Sequence, residues 1–257
     1  MADMIEYQIF GDDMQLVEVE LDPGEGVRAE VGAMMMMEDD IVMQTSTGGG
    51  LFQGFKRMIS GDSFFITTFL NNGRVKRRIS FGAPYPGKII PLDLGLIGRD
   101  FICQKDSFLC AARGIEIEMA FTRKLGAGLF GGEGFILQRL TGDGMAFIHA
   151  GGTTIQRELA PGERLRVDTG CIVGFSPSVN YDIQFVGGFK NALFGGEGLF
   201  LATLTGPGMV YLQSLPFSRM ADRILAAATY RRQDQTSGIG GFGDNLLGGL
   251  FGGDRGD

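Results

Sequence analysis

The residues able to do chemistry in this 257-residue chain are few. A single histidine, His149, ends the apolar run Met145–Ile148. Any Ser-His-Asp or Cys-His arrangement would have to be built on it. One histidine also excludes multi-histidine metal centres and H-E-x-x-H, and no G-x-S-x-G elbow accompanies it. The preferred reading of His149 is a structural histidine whose hydrogen bonds are satisfied. The three cysteines, Cys103, Cys110 and Cys171, lack C-x-x-C spacing and are odd in number. That argues against a disulfide framework or a zinc site and suits a reducing compartment. Cys103 and Cys110 flank Asp106-Ser107 and could face each other across a hairpin; two small buried side chains is the reading preferred here.

One glycine pattern imitates a dinucleotide site. Gly126-Ala127-Gly128-Leu129-Phe130-Gly131 satisfies G-x-G-x-x-G after a strand, but a strand-like run follows where the site needs a helix. A second copy of the surrounding phrase puts Lys190 and Ala192 where Gly126 and Gly128 stand, so nucleotide binding is not expected. No P-loop is present. The basic cluster Arg74, Lys76, Arg77 and Arg78 reads as a solvated edge strand protected by charge rather than a phosphate site. Net charge is −7 and the sequence pI is near 4.9, against the basic balance usual for a nucleic-acid binder. No cofactor or metal is expected.

The elements that must position these residues repeat. Gly131-Gly132-Glu133-Gly134 recurs as Gly195-Gly196-Glu197-Gly198, with a decayed copy at Gly61-Asp62. A second phrase recurs as Pro23-Gly24, Pro86-Gly87 and Pro161-Gly162, alternating with the first. Self-similarity in fixed order implies one supersecondary unit copied along the chain. A carboxylate present in every copy is read as serving the turn rather than one active site. Between the turns, hydrophobicity alternates with period two. Val17, Val19 and Leu21 oppose Leu16, Glu18 and Glu20, while Ile115, Ile117, Met119 and Phe121 share a face. Short strands with frequent turn signals, and 43 glycines, indicate an all-β sandwich or barrel. The expected units span residues 1–84, 85–151 and 152–216. They are followed by a helix within 217–234, roughly Ser218 to Arg232 with Ser218 as N-cap, and a glycine-rich tail over 235–257. Leu246, Leu247, Leu250 and Phe251 in that tail could make a short apolar face. The methionine run Met34–Met37 reads as a buried strand or loop filled with adaptable side chains. No apolar run approaches a membrane span and no basic leader precedes the first unit, so a cytoplasmic protein is expected.

Several phrases carry a resemblance. Leu21-Asp22-Pro23-Gly24-Glu25, Ala29-Glu30-Val31-Gly32-Ala33-Met34, Gly48-Gly49-Gly50-Leu51 and Gly195-Gly196-Glu197-Gly198-Leu199-Phe200 stand in this order. So do Gly61-Asp62-Ser63-Phe64-Phe65. Together they resemble a family of conserved uncharacterised proteins related to the yeast altered-inheritance-of-mitochondria protein. The resemblance implies an all-β chain of three units. Each would be similar to a subunit of the trp RNA-binding attenuation protein, a short double-stranded β-helix type of sandwich. It implies closed rings, a trimer with nine units, and no assigned catalytic residues. The expected function is a non-enzymatic oligomeric scaffold or binding protein whose partner is itself, with an unidentified protein partner also open. Nucleic-acid binding by analogy of fold, or a small-molecule or enzymatic pocket between units, are the alternatives.

Overall fold

The computed structural model describes residues 1–45, 66–123, 135–185 and 200–227. Among them, β1 (Glu6–Phe10) precedes three successive sets of six strands. The first repeat holds β2 (Leu16–Leu21), β3 (Gly26–Glu30), β4 (Met34–Met37), β5 (Ile41–Thr45), β6 (Ile66–Asn71) and β7 (Arg77–Gly82). The second holds β8 (Gly87–Asp93), β9 (Asp100–Gln104), β10 (Phe108–Ala112), β11 (Glu116–Arg123), β12 (Phe135–Thr141) and β13 (Met145–Gly151). The third holds β14 (Thr154–Leu159), β15 (Arg164–Asp168), β16 (Ile172–Phe175), β17 (Asn180–Phe185), β18 (Phe200–Thr205) and β19 (Gly208–Gln213).

One pairing plan recurs in all three. The first strand of a repeat pairs with the sixth, and the sixth with the third. The second pairs with the fifth, and the fifth with the fourth. Each repeat is therefore two three-stranded half-sheets. The repeats then fuse, because the second strand of one pairs with the third strand of the next: β3 with β10, and β9 with β16. The resulting sheets run β1-β2-β7-β4, β5-β6-β3-β10-β13-β8, β11-β12-β9-β16-β19-β14 and β15-β18-β17. Among the described residues the chain is all-β apart from short 3-10 turns and a helix at 217–227, as its alternation and turn density indicate. Residues Met1–Pro216 form one compact body, because neighbouring repeats share sheets rather than meeting at linkers.

Local chemistry explains the corners. At Pro23-Gly24 the Glu25 amide donates to the Asp22 carbonyl at 2.9 Å, and Gly24 takes the left-handed φ of +87° that a side chain disfavours. The Glu25 carboxylate then reaches back to accept from the Asp22 amide at 2.9 Å. Pro161-Gly162 repeats the device, with Glu163 accepting from the Ala160 amide at 2.9 Å. Pro86-Gly87 differs from the sequence expectation. It opens β8, with Gly87 opposite Gly151, and the equivalent corner of the second repeat is 94–99, which has no proline. Gly87 is glycine because of crowding: a Cβ there would collide with the Ala150 carbonyl and lie 2.7 Å from His149 Nε2.

A one-turn 3-10 segment precedes the third strand of each repeat, at Val31–Ala33, Lys105–Ser107 and Thr169–Cys171. Each third strand then bulges one residue in, at Met34/Met36, Phe108/Cys110 and Ile172/Gly174. Another bulge, between Met119 and Phe121 of β11, breaks the alternation expected there and leaves Met119 exposed.

The core forms by stacking half-sheets. Phe69 of one half-sheet meets Phe81 of the other edge-on at 5.6 Å, and both are fully buried, each contributing on the order of 1.5–3 kcal/mol by area. One apolar cluster joins the first and second repeats through Val19, Phe81 and Phe147. A second joins the second and third through Phe135, Phe175 and Leu204. The helix, belonging to a separate segment Phe217–Asp257, starts at Phe217 after Pro216. Ser218 therefore lies inside its first turn and is not the N-cap the sequence suggested. The continuation toward Arg232, and the tail with Leu246, Leu247, Leu250 and Phe251, lie outside the described residues.

Candidate functional site

His149 sits on β13 at 1 % exposure, with the Tyr85 ring edge-on at 4.4 Å. The expected core histidine is buried, the Tyr85 backbone is the hydrogen-bonding group beside its ring, and neither ring nitrogen has a fully formed bond among the described residues. Burial pushes its pKa down to about 4, against an opposing pull from the Tyr85 backbone. Its counterpart one repeat later is Gln213, read across the shared bulge register (Ile148 opposite Phe108, Leu212 opposite Ile172). Gln213 does what His149 does not: it accepts from the Gly151 amide at 2.8 Å and donates to the Gly170 carbonyl at 2.9 Å.

Cys103 and Cys110 do not face each other across a hairpin. β9 pairs with β12 and β16, whereas β10 pairs with β3 and β13, so the two thiols lie in different sheets. Both are fully buried, and burial alone raises the Cys103 thiol to about 12 and the Cys110 thiol well above its ordinary value. Thiols held protonated in this way are poor nucleophiles. Cys171 is half-buried and in no disulfide.

The basic cluster is not on an edge. β7 runs between β2 and β4, and its cations meet carboxylates. Lys76 Nζ lies 2.7 Å from Glu6 and 3.0 Å from Glu20; Arg78 Nε lies 3.1 Å from Glu20, and Arg77 Nη2 lies 2.6 Å from Asp40. Glu6 and Glu20 raise the Lys76 pKa, while Lys76 and then Arg78 lower that of Glu20. Charges already matched across neighbouring strands leave little for a phosphate. The glycine phrases Gly61-Asp62, Gly131-Gly132-Glu133-Gly134 and Gly195-Gly196-Glu197-Gly198 lie outside the described residues, as does Gly126–Gly131. In chain order the three phrases fall between the fourth and fifth strands of successive repeats.

Among the described residues no group of three or more His, Cys, Asp or Glu could hold a metal, and no helix is long and apolar enough to cross a membrane. Two open depressions mark the ends of the strand order. One, of about 620 Å³, lies on the outer face of β15-β18-β17 and presents Arg164, Arg166, Asp182, Thr203 and Thr205. The other, of about 320 Å³, lies on the outer face of β1-β2-β7 and presents Glu6, Glu18, Glu20 and Arg78.

The arrangement most open to interaction is a pair of strand edges. In the recurrent plan every second strand and every third strand is a joint, yet among the described residues β15 and β4 have no joining partner. The fourth strands β5, β11 and β17 are edges in every repeat, and the first strands β8 and β14 are edges where β2 is covered by β1. Met35, Met36 and Met37 of β4 are 55 %, 49 % and 38 % exposed, which corrects the expectation of a buried methionine run. The counterparts Leu109, Cys110 and Ala111 of β10, and Val173 and Phe175 of β16, are buried. An apolar, unpaired edge is a template for another strand. Sequence reasoning missed this pair. The signal was the alignment of Met34–Met37 with Phe108–Ala111 and Ile172–Phe175, in which only the first lacks a partner.

A family described as mitochondrial biogenesis AIM24 matches residues 7–215 of the chain. An uncharacterized protein of Streptococcus pyogenes serotype M6 is 28 % identical over 214 residues, covering 80 % of this chain and 84 % of that one. A crystal structure of a Streptococcus pyogenes protein from a structural genomics programme is similar with a TM-score of 0.70 at 24 % identity. That likeness covers 87 % of this chain and 99 % of the streptococcal one, and is a likeness of fold.

Proposed function

The chain belongs to the AIM24 family, and from that premise we propose that it acts as a non-enzymatic, self-assembling scaffold or binding protein, its copies joined head to tail in a closed ring of three. The observation that carries this reading is the pair β4 and β15: two joint strands, at opposite ends of the repeat order, each without, among the described residues, the neighbour its counterparts have. Unlike surfaces that match each other make a heterologous interface, and such an interface closes into a ring when the rotation between copies permits. Three repeats per chain, each already turned through the same joint, favour closure with few copies. The non-catalytic part of the reading draws support from His149, neutral and hidden, and from the buried protonated thiols of Cys103 and Cys110. The ion-paired state of Lys76, Arg77 and Arg78 and the net charge of −7 favour self-association over nucleic-acid binding. Cysteines held outside any disulfide suit a cytoplasmic location.

The test is native mass by light scattering, for the full chain and for a form lacking residues 237–257. A trimer is the expected result. A monomer at all accessible concentrations overturns the reading. Loss of the trimer on truncation assigns the tail to assembly as well.

A further inference from the structure

The two internal joints are superimposable in register, and they specify a third. In the joint of β3 with β10, Ala29 stands opposite Cys110, Arg28 opposite Ala111 and Val27 opposite Ala112. In the joint of β9 with β16, Cys103 stands opposite Gly174 and Ile102 opposite Phe175. Third strands align through their shared bulge, so Met36, Cys110 and Gly174 are equivalent. Second strands align from their first residues, so Ala29, Cys103 and Val167 are equivalent.

Resting on the self-assembly reading, we propose that β15 of one chain pairs antiparallel with β4 of a second copy, placing Val167 opposite the partner's Met36, Arg166 opposite the partner's Met37 and Leu165 opposite the partner's Glu38. The merged sheet then runs β17-β18-β15-β4-β7-β2-β1. That is the order of both internal six-stranded sheets, with β1 added.

Charge supports the same occupant. The first joint extends one residue further, where the Arg113 amide donates to the Gly26 carbonyl at 2.9 Å. The equivalent positions in the third joint are the partner's Asp39 and Arg164. A carboxylate and a guanidinium so placed are cross-strand neighbours. Among the described residues neither has an ion-pair partner, whereas Asp40 is held by Arg77 and Glu38 accepts from the Arg78 amide at 2.9 Å. The acidic run Glu38-Asp39-Asp40 leaves β4 where the basic Arg164 and Arg166 of β15 arrive. The internal joints carry a small residue, Cys110 or Gly174, where β4 carries Met36. An unbranched thioether can bend aside where a branched side chain cannot.

Two experiments on the full chain test the register. Charge reversal at either end, Asp39→Arg or Arg164→Asp, is expected to weaken self-association at least tenfold, and the double variant D39R/R164D to recover most of it. Mixing a Met36→Cys chain with a Val167→Cys chain under mild oxidant is expected to give a cross-linked pair, while Met35→Cys with Val167→Cys gives none. The unsubstituted chain with Cys171 serves as background, and far-UV circular dichroism checks that each variant folds. Cross-linking with charge rescue supports the joint. Assembly without the Met36–Val167 cross-link, or without rescue, overturns the joint and leaves self-assembly standing. A monomer in the unsubstituted chain overturns both.

Discussion

β10 and β4 are the same strand of successive repeats, entered by the same 3-10 turn and broken by the same bulge, yet one is buried and the other exposed. Composition alone does not explain this, since the four methionines are themselves apolar and yet three of them are exposed. What differs is the neighbour: β10 lies between β13 and β3, while among the described residues β4 pairs with β7 alone. Burial of each third strand in this fold is conferred by the second strand of the preceding repeat. Position along the chain therefore decides the cost of a substitution as much as residue type does.

The largest expected effect comes from putting the same charge into both strands. Ala111→Asp buries an unpaired carboxylate and is expected to cost about 3–5 kcal/mol or prevent folding. Met37→Asp, at the equivalent position, is expected to change the stability of the isolated chain by less than about 1 kcal/mol. Chemical denaturation at low protein concentration compares the two, and equal losses would break the contrast.

The second comparison sets His149 against Gln213. The histidine has a folded pKa of about 4 against about 6.5 when unfolded. Between these values the unfolded chain binds the extra proton. Stability is therefore full above pH 6.5, declines as the pH falls toward 4, and levels off below that. The span is roughly 3 kcal/mol at 1.36 kcal/mol per unit. His149→Gln is expected to remove that component of the slope, measured as the difference in denaturation midpoint between pH 7 and pH 4.5. Gln213→Ala orphans the Gly151 amide and the Gly170 carbonyl, with an expected loss of about 2 kcal/mol at any pH. A pH-dependent loss there would blur the distinction between the two posts. The smallest effect belongs to Ser80, the counterpart of Phe147 and Tyr211, whose buried hydroxyl has no hydrogen bond. Ser80→Ala is expected to be neutral or to stabilise by up to about 1 kcal/mol, read from the thermal midpoint.

Much of the fold was legible from the sequence because its signals are local. Val17, Val19 and Leu21 alternate as a half-buried strand must, and the corners at Pro23-Gly24 and Pro161-Gly162 carry their own turn chemistry and a returning glutamate. The copied phrases mark the repeat. What was not legible is long-range. Nothing near Ala29 says that its partner is Cys110, so the sharing of sheets between repeats stayed hidden. The edge at β4 and the true place of β7 were hidden with it. Pro86-Gly87 misled because glycine there serves crowding against β13 instead of a corner. Met119 misled because a bulge shifts phase without changing composition. Of the candidate site, the scarcity of histidine and the lack of C-x-x-C spacing could be read from counts, while the two edges β4 and β15 required the pairing plan.

The lending of a second strand forward also sets a timetable. β3 leaves the ribosome early, but the strand that completes its sheet, β10, begins only at Phe108. The first repeat must therefore wait, half-finished, for the second, and the second for the third, so structure is completed in the direction of synthesis. A nascent chain halted before Phe108 would present one edge of β3 bare, along with the apolar side chains that β10 covers. Such a fragment is a substrate for chaperones, whereas the same halt after Gln213 would release a body finished at every joint the chain can close by itself.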